Sequence, residues 1–356
     1  MTAVSLPLAR DAALSRSLRG FTARAGITLL GLALLAAFLM PLGYMVATSL
    51  KDKGQISDPT APPYPASAVT FRYDGEDYPL VKVPLDGTVR ELALVVKGRE
   101  SSQLVDPANA AAGLVTWQGR WRTLEPVYRF DPKISNFGLV WDTLDFPKLL
   151  RNTVLIALLS TIGAVGSSVA VAYGFSRFRF RGRGPLMIIL ISTIILPFQV
   201  TLIPSYIAFT AIGWTGTWLP LIVPHWFANA YNVFLLRQYF LTIPRDLDEA
   251  AMIDGAGPFR ILRSVIVPQA IPAIVAVALF HFFFAWNEFF LSLVYVGSNP
   301  DLQPLSVGIQ QFNAVYSAQP NLIQASAILT LAVPVVIFFL AQRAFVRGVV
   351  ITGVEK

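Results

Sequence analysis

EAAMIDGAGPFRILRSVIVP, residues 249–268, is a short polar segment caught between two strongly apolar ones, residues 218–240 and 271–296. Its start has the chemistry of a surface helix. Pro244 can open a helix because the first turn does not need its N–H. Asp246 and Asp248 complement the positive helix end, and Gly255 can close it in a left-handed cap. Leu247, Ala250, Ala251 and Asp254 then recur at i, i+3, i+4 and i+7, a slim alanine face flanked by acids. Such a face suits a cleft on a partner; an ordinary solvated connector is the other reading of the same residues.

The apolar neighbours set the solvent. Hydrophobic residues make up 54% and charged residues 14% of 356 positions, the balance of a chain embedded mainly in lipid. Apolar runs occupy residues 26–50, 152–173, 185–209, 218–240, 271–296 and 322–340, each near the ~20 residues that a spanning helix requires. Backbone polar groups cannot face lipid unpaired, so six transmembrane helices are expected, and no ~10-residue alternation points to a membrane barrel. The first run follows Arg10, Arg16, Arg19 and Arg24 and is too long for a signal-peptide core, so it reads as an uncleaved anchor.

The formal charge of +7 does not point to nucleic acid. Residues 51–151 carry 13 of the 28 basic and 13 of the 21 acidic residues, so the excess lies in short segments beside apolar runs, where it orients the chain. Arg177, Arg179, Arg181 and Arg183 follow the second run, whereas 210–217 and 297–321 contain no Lys or Arg. A multi-pass cell-membrane protein with both termini and the 249–268 loop in the cytoplasm follows. With no Cys and two His, no thiol chemistry, disulfide or metal site is expected.

Residues 51–148 break the apolar pattern. A Pro-rich stretch at 59–65 precedes short β-prone runs at 69–73, 80–83, 91–96, 114–117 and 127–130, separated by Asp74-Gly75, Asp86-Gly87 and Lys97-Gly98. This reads as a small extracytoplasmic β-rich insert, with Trp117 and Trp121 exposed. The expected division is thus a cytoplasmic segment 1–25, a first span 26–50, the insert 51–148, a helical core 149–342 containing the polar loop 241–264, and a cytoplasmic tail 343–356.

The complete motif is similar to the cytoplasmic signature of membrane subunits of ATP-binding-cassette importers: Glu249, Ala250, Ala251, three residues, Gly255, nine residues, then an aliphatic pair before Pro268. Val265 and Val267 stand where that family usually has Ile and Leu. NTVLIALLSTIGA and AYGFSRFRFRGRG within 152–184, LPFQVTLIPSY at 196–206, FLLRQYFLTIPRDLDEAA at 234–251, WNEFF at 286–290, PLSVGIQQF at 304–312 and the terminal QRAFVRGVVITGVEK resemble the carbohydrate branch, the maltose and glycerol-phosphate type. The resemblance implies an all-α polytopic protein of the type I importer permease fold. It also implies ATPase coupling through Glu249, Ala250, Ala251, Asp254, Gly255 and Pro268, and a complex with an ATPase dimer, a second permease and an extracytoplasmic solute-binding protein. The long insert is unusual for this branch, and the last Gly common in relatives' tails is missing. No GxxxxGK[ST] occurs, so ATP would be bound by the partner and this chain would hold no cofactor.

A sugar path would use Trp286, Asn287, Glu288, Tyr231 and Asn232, aromatic faces and hydroxyl-bonding groups within the spans; packing between helices and interfacial anchoring explain the same residues. His281, Ala285, Glu288 and Ser292 share a helical face, and a carboxylate in lipid costs about 2.5–3.5 kcal/mol at the centre of a span, so Glu288 should face a partner or water. An ion- or proton-coupled carrier is the alternative, and a membrane-anchored enzyme built on Asp74, Glu76 and Asp77 of the insert is a third class.

Overall fold

The computed structural model describes residues 8–85, 87–313 and 318–350, and it divides into two compact units, Met1–Asn136 and Phe137–Lys356. Residues 1–7 of the N-terminal segment, Asp86 of one expected turn and tail residues 351–356 lie outside the described residues.

The first unit begins with the helix Leu8–Ser49, whose apolar part Arg24–Ser49 is long enough to cross a bilayer. Ile27, Phe38 and Met40 are at least 72% exposed, which for an all-apolar helix means that lipid is its solvent. The carbonyls at its end are not left unpaired. Asn136 Nδ2 donates to the Ser49 and Lys51 carbonyls at 2.7 and 2.9 Å. The Pro-rich stretch that follows has few N–H groups to build a ladder, and one buried side chain pairs with carbonyls there. Gln55 Nε2 donates to the carbonyls of Pro62 and Tyr64, and its Oε1 accepts from Ala66 N–H.

Eight strands follow: β1 (Ala66–Ala68), β2 (Thr70–Tyr73), β3 (Glu76–Leu85), β4 (Thr88–Val96), β5 (Ser101–Val105), β6 (Leu114–Gln118), β7 (Glu125–Pro126) and β8 (Tyr128–Phe130). They form an antiparallel sheet in the order β2-β3-β4-β5-β6, with β7 also on β3, and a separate β1-β8 pair. Asp74 (φ 49°) and Gly75 (φ 86°) make the two-residue turn that joins β2 to β3, so Asp74 and its neighbours are turn residues of a hairpin. Alternation along β3, β4 and β5 buries Val81, Val83, Leu92, Leu94 and Leu104 on one face and Leu80, Ala93 and Val105 on the other. Trp117 and Trp121 are half-buried against the first of these clusters, not exposed as expected. β5 was not anticipated because Ser-Ser-Gln reads as a loop. In the sheet Ser102 is fully buried, its hydroxyl bonded to the Gly98 backbone. The insert is also shorter than 51–148. The last strand ends at Phe130 and a helix Ser135–Thr143 follows, because Phe137, Val140 and Leu144 recur at helical spacing and pack in the second unit.

The second unit is helical. Its centre is the 32-residue helix Phe146–Arg177, which packs against Ala230–Thr242 and Ile271–Trp286. Gly163 lets it approach Trp226; a Cβ there would lie 2.2 Å from the indole. Four described helices are long and apolar enough to cross a membrane, or up to six if each of two bent pairs is one span. Two of the expected spans are not single continuous helices. Residues 185–209 divide into Arg183–Ile195 and Phe198–Ala211 at 96°, because Leu196, forced extended by Pro197, ends the first helix. Residues 271–296 divide into Ile271–Trp286 and Phe290–Val296.

Candidate functional site

The polar loop forms the helix Asp246–Ile253, two residues later than Pro244 suggested, with Asp246, Asp248 and Glu249 in its first turn. Its end is a Schellman closure. Gly255 takes φ +80° and donates its N–H to the Met252 carbonyl, and Ala256 N–H reaches the Ala251 carbonyl at 2.9 Å. A side chain at Gly255 would be strained there.

The helix is tied to the end of Phe146–Arg177. Arg177 Nε lies 2.9 Å from Asp248 Oδ2, with the two side chains only 6% and 8% exposed. Arg177 Nη2 also donates to the Ile243 carbonyl at 3.1 Å, and Arg245 and Arg237 donate to the carbonyls of Ser176 and Phe175. Cations thus cover the negative end of the long helix, where its last carbonyls lack helical partners. Tyr173 Oη donates to the Pro258 carbonyl at 3.1 Å from the same helix. A cavity of about 270 Å³ remains beneath the short helix, lined among others by Tyr173, Arg177, Arg245, Asp248, Glu249 and Pro258.

The outward face differs from the expected one. Leu247, Glu249, Ala250 and Asp254 are exposed, as are Met252 and Ile253 at 58% and 87%. Ala251 instead packs with Ala256 against the core cluster of Tyr173, Val233, Tyr239 and Ile261. Pro268 is exposed and sits beyond a π-helical turn, Leu262–Ile266, at the elbow where Pro258–Gln269 meets Ile271–Trp286 at 82°. The missing proline N–H and the wider turn belong together, since Pro cannot pair with the carbonyl four residues back.

The five candidate sugar-path residues do not converge. Trp286 and Asn287 line a mostly apolar cavity of about 520 Å³ with Ser306, Thr330, Pro334 and Phe338. Glu288 is occupied locally: its Oε1 accepts from Leu291 N–H at 2.8 Å, capping the helix Phe290–Val296. Tyr231 is 48% exposed, whereas the adjacent Asn232 is buried. His281 meets His225, ring centroids 4.8 Å apart, and the two imidazoles pack beside Phe284. The tie between Arg177 and Asp248 escaped sequence reading, because a basic run after a span and an acidic first turn are each explained locally.

Bent apolar helices around a long central one, with a short acidic helix lashed beneath them, define the permease fold of type I ATP-binding-cassette importers. Residues 146–351 match the family described as binding-protein-dependent transport system inner membrane component, and the chain belongs to that family. It is 32% identical over 244 residues to the osmoprotective compounds uptake permease protein GgtD of Synechocystis, covering 67% of this chain and 80% of that one. It is 33% identical over 230 residues to the trehalose/maltose transport system permease protein MalG of Thermococcus litoralis, covering 63% and 81%. A bacterial transporter involved in import of the acidic polysaccharide alginate has a chain of the same fold, with TM-score 0.59 and 19% identity over 97% of this chain and 99% of that one. The chain is therefore an inner membrane component, a permease subunit of an importer.

Proposed function

We propose that this chain is the transmembrane subunit of an ATP-driven importer of a sugar or related polyol, coupled to a separate ATPase dimer through the helix around Glu249–Gly255. The observation that carries the coupling is the buried Arg177–Asp248 pair. It leaves Glu249, Ala250 and Asp254 facing out while joining their helix to the central helix of the core. A push on the short helix is then transmitted as rigid-body motion of packed helices. The sugar or polyol assignment is supported by the relatives named for trehalose/maltose and for sn-glycerol-3-phosphate.

The same reading puts both termini and the coupling helix in the cytoplasm, the β-rich insert outside, and a second permease and a solute-binding protein in the complex. The carrier alternative loses its relay, since Glu288 caps a helix and His281 packs on His225. Affinity purification from native membrane tests the proposal. An ATPase should be recovered with the wild-type chain and lost with Glu249→Lys at equal chain abundance; solute uptake by the purified chain alone would refute it.

A further inference from the structure

One end of the β-sheet carries a charged cleft. The turn 97–100 and the segment 119–123 enclose a cavity of about 580 Å³ lined by Arg99, Glu100, Arg120, Trp121, Arg122 and Thr123. Its walls are pinned together. Gly119 N–H donates to the Glu100 carbonyl at 2.7 Å and Trp121 N–H to the Gly98 carbonyl at 3.4 Å. Thr123 donates both N–H and Oγ1 to the Arg120 carbonyl, at 2.9 and 2.8 Å. Glycines permit this closeness: a Cβ on Gly98 would fall 1.6 Å from the Ser101 carbonyl oxygen, and one on Gly119 2.2 Å from the Trp117 ring.

Two of the nearby cations are held by an aromatic ring, and among the described residues the arginines of the lining form no ion pair. Lys97 Nζ and Arg122 Cζ lie 5.2 and 5.5 Å from the Trp121 ring centroid, cation–π contacts that keep both cations at the rim. Among the described residues, Lys82, Arg129 and Lys133 of the same unit have carboxylate partners, whereas Arg99, Arg120 and Arg122 have none. Three guanidiniums around one concave space repel each other until an anion arrives, and each can grip a carboxylate or phosphate with paired N–H groups.

We propose that this cleft binds a small polyhydroxylated anion carrying two or more carboxylate or phosphate groups. The cleft is open to solvent, with every lining residue but Trp121 exposed, and its volume far exceeds one phosphate. Glu100 within the lining accepts hydroxyl hydrogen bonds and opposes filling by simple anions. A concave rather than flat arrangement favours a small solute over an acidic protein face. The cleft's chemistry does not depend on the import reading.

The test is titration of the full chain in phosphatidylcholine nanodiscs, followed by calorimetry and tryptophan emission, with trigalacturonate, its neutral counterpart maltotriose and inorganic phosphate. Saturable binding of trigalacturonate is expected, weakening with added salt and falling about tenfold or more in Arg120→Ala/Arg122→Ala, from loss of two charge-assisted contacts. Arg99→Gln should weaken it independently, and Arg72→Ala, on β2, should leave it unchanged. Displacement of trigalacturonate in phosphatidylglycerol nanodiscs would assign the cleft to a single-phosphate lipid headgroup and overturn the polyanion proposal. Equal binding of maltotriose, wild-type binding by the double variant, or no binding of any anion would overturn the proposal. The last result is what an acidic protein surface as occupant would give.

Discussion

Arg177 and Asp248, at the end of one long helix and in the first turn of a short one, form a 2.9 Å ion pair with both side chains almost wholly buried. Removing one partner leaves a buried charge uncompensated, typically costing about 3–5 kcal/mol. Asp248→Ala and Arg177→Ala should therefore each lower the unfolding midpoint of the solubilised protein and abolish transport. The exchange Arg177→Asp/Asp248→Arg should recover part of both. A double-mutant cycle with no coupling would show that the pair holds nothing together.

Ala250 and Ala251 are adjacent and should fail in different ways. Ala250 is exposed, so Ala250→Trp is expected to leave membrane abundance unchanged while blocking recovery of the ATPase. Ala251 packs against the core, where added bulk commonly costs about 1–3 kcal/mol, so Ala251→Trp should lower abundance itself. Immunoblots of membranes beside pull-downs separate the two.

Glu288 caps the helix Phe290–Val296 through Leu291 N–H. Glu288→Gln keeps an acceptor oxygen and should retain transport, with stability within about 1 kcal/mol of wild type. Complete loss of uptake at normal abundance would return Glu288 to a proton relay.

Stability of the β-rich unit should fall in acid. The Thr60 hydroxyl, then that of Tyr128, holds the Asp58 carboxyl below its usual 3.8. A depressed carboxylate contributes stability that is present above the unfolded value of about 4 and lost as pH falls through the folded one. Burial, then the Asp58 bond, raises the Tyr128 phenol. Its contribution is present below the unfolded value of about 10 and is lost as pH rises through the folded one. Thr60→Val should flatten the acid limb more than Tyr128→Phe, and only Tyr128→Phe should also flatten the alkaline limb. Tryptophan emission against pH reports both, since Trp117 and Trp121 pack half-buried against that unit's core.

The elements legible in advance were those coded by neighbours along the chain. The apolar runs, the Asp74-Gly75 turn and the Gly255 cap each follow from side-chain chemistry within one or two helical turns. β5 was not legible, because Ser102 is strand-compatible only once Gly98 receives its hydroxyl. Nor was the split of residues 271–296 at Asn287, since the flanking residues are long enough and apolar enough to read as one span and the break is stabilised by Glu288 bonding the first turn of the next helix.

The sequence by itself determined that this protein lives in lipid, carries a β-rich segment and displays a motif similar to that of importer permeases, because hydropathy, turn chemistry and motif spacing are local properties. Which alanine faces outward, which acid is buried and which arginine holds it were decided only by tertiary structure. Burial and pairing depend on what the rest of the chain brings within a few ångströms, and no periodicity around Asp248 contains Arg177.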